Sequence, residues 1–415
     1  MKVAIIGAGF VGLSAAWKLQ KKGRQVIVFE ASDLPGGLAG GFKQSGWDWP
    51  LEYYYHHIFS KDQAILDWLG ELGLTDQVFF KETKTVSLYQ GDISPLDSPF
   101  ALLTYSQLSW LAKLKTAFGL AFLKLLPRGK FLEKWTAKQF LLAWMGAESW
   151  RVLWQPLFEK KFGQYANRVN MAWFWARIKA RTKKLGYFEQ GFGGLAQKIV
   201  DRLTAIGVEF RFGEQVEKIA GLKQQGFDQI LFTGTSQQLL ELADWPTGFK
   251  QSVQKLKLLA AQTLILEMEQ PFFADGTYWL NVNQLDWPIL GVVDQTNFVD
   301  PENYGGSHLV YVGNYLTEID PQWELDKQEL LDFYQPYLDQ LSPGFKQWVK
   351  EVFVFRSKAA QPVVLPNHSQ LLPGIKTPDP SVFWAGMEQI YPYDRGVNYA
   401  VELGLKTAAR MIENG

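Results

Sequence analysis

The chain begins KVAIIGAGFVGLSAAWKLQKKGRQVIVFE after its first methionine, and no other stretch limits the fold as strongly. Lys2 to Ile6 has the apolar run of a buried parallel strand. Gly7, Gly9 and Gly12 follow in G-x-G-x-x-G spacing, with Ala8, Phe10 and Val11 between them. The first glycine permits a tight turn, the second lets a pyrophosphate approach the backbone, and the third lets helix and strand pack closely. The helix should run to about Lys21 and stop near Gly23. Gln25 to Phe29 reads as a second strand, and Glu30 at its end places a carboxylate where an adenosine ribose would be held. A lone glycine fingerprint is weak. One that follows a strand, opens a helix and leads to an acid-tipped strand predicts a dinucleotide-binding βαβ unit.

The 415 residues exceed what one small core needs and suit two packed domains. Lys+Arg and Asp+Glu balance at 42 each, so charge gives no case for a nucleic-acid partner. The absence of cysteine removes disulfides, thiolate metal sites and cysteine nucleophiles, and four histidines make a histidine metal site a poor expectation. MKVAIIGAG is too short for the apolar core of a signal peptide, so a cytoplasmic chain is expected. The most hydrophobic window, residues 108–126, is interrupted by Lys113, Lys115 and Lys124, which argues against a span. It reads as a cap helix, with peripheral membrane contact as the sharper alternative.

Directly after Glu30, Ala31 leads to Gly36-Gly37-Leu38. This E-x5-GG continuation resembles the flavoprotein superfamily of amine oxidases, protoporphyrinogen oxidases and phytoene desaturases. The resemblance implies FAD as cofactor, with the paired glycines close to it and the backbone of Val216 at the adenine. At the other end, a strand ending at Trp384 leads to Ala385-Gly386-Met387, and a helix starts near Gly396-Val397. In the superfamily that helix points its amino terminus at the flavin ring, where backbone N–H groups suit negative charge. Arg395 would lie beside it. Strands are read at Val208–Phe212, Gln215–Ile219 and Phe227–Phe232, the last ended by Thr233.

The expected fold is therefore α/β: a Rossmann-like, glutathione-reductase-type FAD-binding domain with an interleaved substrate domain of mixed β-sheet and helices. The FAD-binding domain is assigned to residues 1–80, 187–245 and 350–415, and the substrate domain to 81–186 and 246–349. A small-molecule substrate would lie between them.

Several stretches are similar to UDP-galactopyranose mutases, namely Tyr55-His56-His57-Ile58-Phe59, Lys161-Phe162-Gly163, Arg177 to Arg181, and Tyr187 to Leu195. The departures are Ser60 for a histidine, Phe162 for a tryptophan, and Ala261-Gln262-Thr263 where the mutases carry a diphosphate-binding arginine. The main expectation is an FAD-dependent oxidoreductase taking hydride from a C–H or C–N bond of an apolar or isoprenoid-like molecule. A non-redox sugar-nucleotide mutase and a lipid-carrying escort protein of the same fold are the alternatives. His57, Arg177 and Tyr391 are the candidate catalytic residues. In the segment LEYYYHHIFSKD, strand alternation would turn Tyr53, Tyr55 and His57 to one face and Glu52, Tyr54 and His56 to the other.

Overall fold

A computed structural model describes residues 1–414. Its first sheet is wholly parallel, with strands in the order Glu209–Arg211, Gln25–Phe29, Lys2–Ile6, Gln229–Phe232, Val382–Trp384. The two long chain excursions leave after Phe29 and after Phe232, so both insertions arise at the carboxyl edge of the sheet. That edge is where open α/β sheets bind ligands. Helices Phe10–Gln20 and Val397–Glu413 pack against one another beside this sheet. Gly404 is required there, because a Cβ would stand 2.1 Å from Ser14 Oγ and 2.3 Å from the Val11 carbonyl oxygen.

The second sheet has seven strands in the order Val349–Pro362, Leu258–Met268, His308–Leu316, Gly291–Asp294, Thr277–Val282, Lys84–Tyr89, Asp92–Pro95. All pairs are antiparallel except Thr277–Val282 with Lys84–Tyr89. A three-stranded sheet, Ile58–Phe59, Lys184–Phe188 and Val78–Glu82, joins the two regions. Helices Pro99–Thr104, Trp110–Leu125, Ala137–Ser149, Gln155–Phe162 and Met171–Ala180 form the cap.

Three sequence readings need correction. The strand Val349–Pro362 pairs along Leu258–Met268, so residues 350–362 belong to the seven-stranded sheet and the chain rejoins the parallel sheet only at Val382. No strand forms at Gln215–Ile219: the run before helix Ile219–Gln224 has no ladder partner, because the sheet already ends at its edge strand Glu209–Arg211. Val216 therefore sits in an irregular segment. The alternation expected through 51–62 also fails, since only Leu51–Glu52 and Ile58–Phe59 are strand and the residues between are bends and coil.

Candidate functional site

The turn after the first strand is built as a cradle. Gly7 N–H donates to Phe29 O at 2.7 Å, Ala8 N–H to Glu30 Oε2 at 2.7 Å, and Gly36 N–H to Ala8 O at 3.0 Å. A Cβ on Gly12 would meet the Gly7 carbonyl oxygen at 2.0 Å, so the third glycine is fixed by packing. A Cβ on Gly9 would meet no atom within 4 Å among the described residues, so that side is open. Gly37, exposed and at φ +58°, faces Gly9 across this opening. Helix Phe10–Gln20 has no side-chain cap and no acid in its first turn, leaving its terminal N–H groups for an anion. Leu38 lies in the short helical turn Gly37–Ala39 beside it, and Ala31 is exposed after Glu30.

Thr233 and Gly386 end neighbouring strands on the same edge. Thr233 donates from N–H and from Oγ1 to Ile6 O, at 3.0 and 2.9 Å, and Ala385 N–H donates to Phe232 O at 2.9 Å. Gly386 is hemmed in by Trp384 Nε1 and the Gly234 carbonyl oxygen, and Met387 begins a short turn after it. Helix Val397–Glu413 starts after Gly396 without a side-chain cap.

A second cluster forms where the two regions meet. Asp394 accepts from Arg177 at 2.5 Å and pairs with Lys161 at 3.4 Å. Arg395 donates to Gln361 Oε1 at 2.8 Å and to Tyr315 Oη at 2.9 Å, and Lys161 lies 4.8 Å from the Tyr315 ring centroid. Lys161 is only 7% exposed, Asp394 19% and Arg177 36%, so the cluster is enclosed and Arg177 is its solvent-facing member. Three cations thus surround one carboxylate. Burial opposes the Asp394 charge, but Lys161, Arg177 and Arg395 outweigh it and hold the carboxyl well below its usual range. Burial also raises the Tyr315 phenol, yet Arg395 and Lys161 pull it below its ordinary value. Lys161 itself is lowered, chiefly by burial.

The aromatic segment 53–57 lines this junction. The ring of Tyr53 stacks on Phe42 and tilts against Phe355. Tyr55 fits over Gly313, edge-on to Trp279 and Tyr311. His57 stands against Phe59 and Trp279, and its Nδ1 has no partner among the described residues. Tyr55 and His57 do share Trp279, while Tyr53 departs to a different aromatic group. On the other side, Glu52 accepts from Tyr187 Oη at 2.5 Å and from Phe192 N–H at 2.6 Å, and His56 packs near the Phe192 ring. Glu52 thus bonds to Tyr187 and Phe192, away from His57. Burial pushes Glu52 up to about 7 despite these bonds. Burial lowers His56 to about 4, although the Nδ1 contact with Tyr54 O opposes the shift. His57 falls to about 3 through burial and then through His56, Arg181 and Arg177.

The predicted catalytic set is split. Arg177 and His57 face the junction, but the Tyr391 hydroxyl is committed to Glu133 Oε2 at 2.9 Å and to Asn170 Nδ2 at 3.1 Å in the helical cap. Lys161, noted only within a mutase-like stretch, and Asp394 were absent from the expected catalytic set. Lys161 carried a signal: it falls on the buried face of its helix with Phe158 and Phe162, where a lysine needs a partner.

A parallel sheet with a glycine cradle at its carboxyl edge and a carboxylate at the tip of the second strand is the architecture of a dinucleotide-binding protein. The chain matches the family described as Flavin containing amine oxidoreductase over residues 10–412, and it belongs to that family. Its cofactor is FAD, and the open side of Gly9 with the free helix terminus fits the pyrophosphate. The 15-cis-phytoene desaturase of Arabidopsis thaliana is 32% identical over 134 residues, covering 29% of this chain and 24% of that protein. The chain thus spans about a quarter of the length of that curated relative. Among solved structures, a putative protoporphyrinogen oxidase from Exiguobacterium aligns with TM-score 0.72 at 15% identity, over 99% of each chain. A reduced UDP-galactopyranose mutase aligns with TM-score 0.75 at 15% identity, over 100% of this chain and 96% of the other. These likenesses define the fold.

Proposed function

We propose that the chain oxidises a C–H or C–N bond of a small molecule that carries an anionic group on an apolar body. The observation that carries the reading is the enclosed surplus of positive charge, Lys161, Arg177 and Arg395 around Asp394, set against the aromatic wall of Tyr55, His57 and Trp279. Uncompensated charge of this kind is costly to enclose, and a ligand phosphate or carboxylate offsets it. A wholly hydrocarbon substrate would leave it unmatched.

FAD, when bound, supplies the acceptor for a hydride from the substrate. Gly9, Gly36, Gly37 and the amino terminus of helix Phe10–Gln20 would hold its pyrophosphate, and Glu30 its ribose. The chain's own residues then bind and orient. Arg177, the most exposed cation, meets the anionic group first, while Arg395 and Lys161 hold it beside Tyr315. Tyr55 and Trp279 exclude water from the apolar part. Both histidines stay neutral near pH 7, so they serve as packing and hydrogen-bonding groups and not as charges.

The test compares pairs of ligands with one carbon skeleton, farnesyl phosphate against farnesol and a fatty acid against its alcohol. Flavin absorbance is followed anaerobically in FAD-loaded protein. The anionic member should perturb or bleach the flavin at concentrations about tenfold or more below those the neutral member needs, and Arg177→Met should narrow that gap. Equal response to both members would sink the reading.

The same charge surplus favours a second reading, a sugar-nucleotide mutase that uses FAD without net oxidation. The position of the mutase arginine holds Gln262, whose amide is committed to Gln322 O at 2.7 Å. UDP-galactopyranose that shifts the spectrum of reduced protein would support this reading. No shift in either oxidation state would remove it.

A further inference from the structure

Helix Trp110–Leu125 is built inside out. The positions it buries are Ala112, Thr116, Gly119 and Leu123. Three of these are small, and they let the helix approach Ala137–Ser149 closely: Gly119 lies against Met145, and Thr116 Oγ1 donates to Ser149 Oγ at 2.7 Å. The large apolar residues at the complementary positions, Leu111, Leu114, Phe118 and Leu125, point to solvent, with Leu111 at 62%, Phe118 at 67% and Leu125 at 79% exposed. A helix of a globular domain normally turns its large apolar stripe inward. Here the small stripe goes in and the large one comes out.

The exposed stripe continues onto neighbouring elements. Trp144 stacks against Phe118, Phe122 and Phe140, and Phe100 is 75% exposed on the helix that packs before this one. Ten of the seventeen exposed large apolar side chains described fall between residues 100 and 144. The same interval holds seven lysines and arginines and a single carboxylate, in a chain whose total charge is zero. That carboxylate, Glu133, turns inward to Ser369 and Tyr391. Lys124 is also committed inward, to the carbonyls of Ile178, Lys179 and Arg181 at the end of helix Met171–Ala180. Lys115, Arg128, Lys130 and Lys134 remain exposed around the apolar stripe.

We propose that this face is a docking surface for an anionic lipid bilayer, with helix Trp110–Leu125 lying in the plane of the interface. Its large aliphatic and aromatic side chains enter the acyl boundary, and the surrounding cations meet lipid phosphates. Tryptophans at such a level match the aromatic enrichment of membrane interfaces. No helix among the described residues is long and apolar enough to cross a membrane. Because Lys124 ties the docking helix to the helix that carries Arg177, the lipid surface and the cationic cluster are one element apart. The surface does not depend on which substrate the site takes.

The experiment is co-sedimentation of FAD-loaded protein with phosphatidylglycerol-containing vesicles and with pure phosphatidylcholine vesicles. Wild type should sediment with the anionic vesicles and bind the neutral ones about tenfold more weakly. Combined Leu111→Ser, Leu114→Ser, Phe118→Ser and Leu125→Ser should weaken binding about tenfold or more at unchanged FAD content. Lys115→Glu with Arg128→Glu and Lys134→Glu should remove the preference for anionic lipid. Wild type that stays in the supernatant overturns the proposal, as does a serine variant that binds like wild type. A concentration-dependent dimer abolished by the serine variant, with no vesicle binding, would make the face a contact between copies and also overturn it. Should a variant lose FAD, quenching of wild-type tryptophan fluorescence by brominated phosphatidylglycerol decides: quenching supports the proposal and its absence refutes it.

Discussion

Replacing Glu52 by Gln should change how stability depends on pH. Glu52 is buried beneath Tyr187 and Phe192, and its carboxyl titrates near 7 in the folded chain against 4.5 when free. Between those values the native state holds a proton that the unfolded state has released. Stability therefore falls as pH rises through this window, and the full loss is about 3 kcal/mol once the pH exceeds 7. Glutamine keeps the local bonds without the charge: Oε1 accepts from Phe192 N–H, and Nε2 donates to Tyr187 Oη. The two proteins share every other titrating group, so their difference isolates position 52. The stability of Glu52→Gln relative to wild type should rise by about 2–3 kcal/mol from pH 5 to pH 8. Urea unfolding of the FAD-loaded proteins, followed by tryptophan fluorescence at steps across that range, measures it. A difference that stays flat with pH would show that Glu52 ionises without penalty and would refute the reasoning.

Gly9→Ala and Gly12→Ala should separate binding from packing. A Cβ at Gly9 meets no described atom, so apoprotein melting should be unchanged while FAD affinity falls about tenfold or more; at Gly12 the clash with the Gly7 carbonyl should lower the melting temperature as well. His57→Asn should leave the shape of the pH profile of flavin reduction unchanged from pH 5 to 8, because the imidazole is held neutral down to about 3; loss of a break in that range would identify a titrating His57. Asp394→Asn leaves Lys161, Arg177 and Arg395 without their carboxylate and should cost about 3–5 kcal/mol. Added pyrophosphate should then raise the melting temperature of the variant more than that of wild type, and an equal rise would count against the anion reading.

The first strand, glycine turn and helix were legible because their determinants are local. Gly7, Gly9, Gly12 and Glu30 lie within one βαβ unit: the backbone demands Gly7 and Gly12, Gly9 leaves its face open, and the Glu30 carboxylate accepts from Ala8 N–H of the same unit. Gly36-Gly37 and Ala385-Gly386 stood out only through the resemblance to the flavoprotein superfamily. Legibility failed where a long-range ladder competed with a local pattern. Residues 350–362 fell inside the stretch assigned to the FAD-binding domain, and pairing with Leu258–Met268 places them in the second sheet. The tyrosine-histidine run looked like one strand, but its side chains are claimed by three different neighbours: Phe42, Trp279 and Phe192.

By itself, the sequence determined the parallel pair of strands at Lys2–Ile6 and Gln25–Phe29 and, through its resemblance, FAD as the cofactor. Only the tertiary structure brought Lys161, Arg177, Tyr315 and Asp394 together, from four elements separated by up to 233 positions. Only it showed which side of helix Trp110–Leu125 is buried. A hydrophobic pattern records that a face is apolar; whether the small or the large residues turn inward depends on how closely the neighbouring helix can approach. Gly119 and Met145 settle that distance.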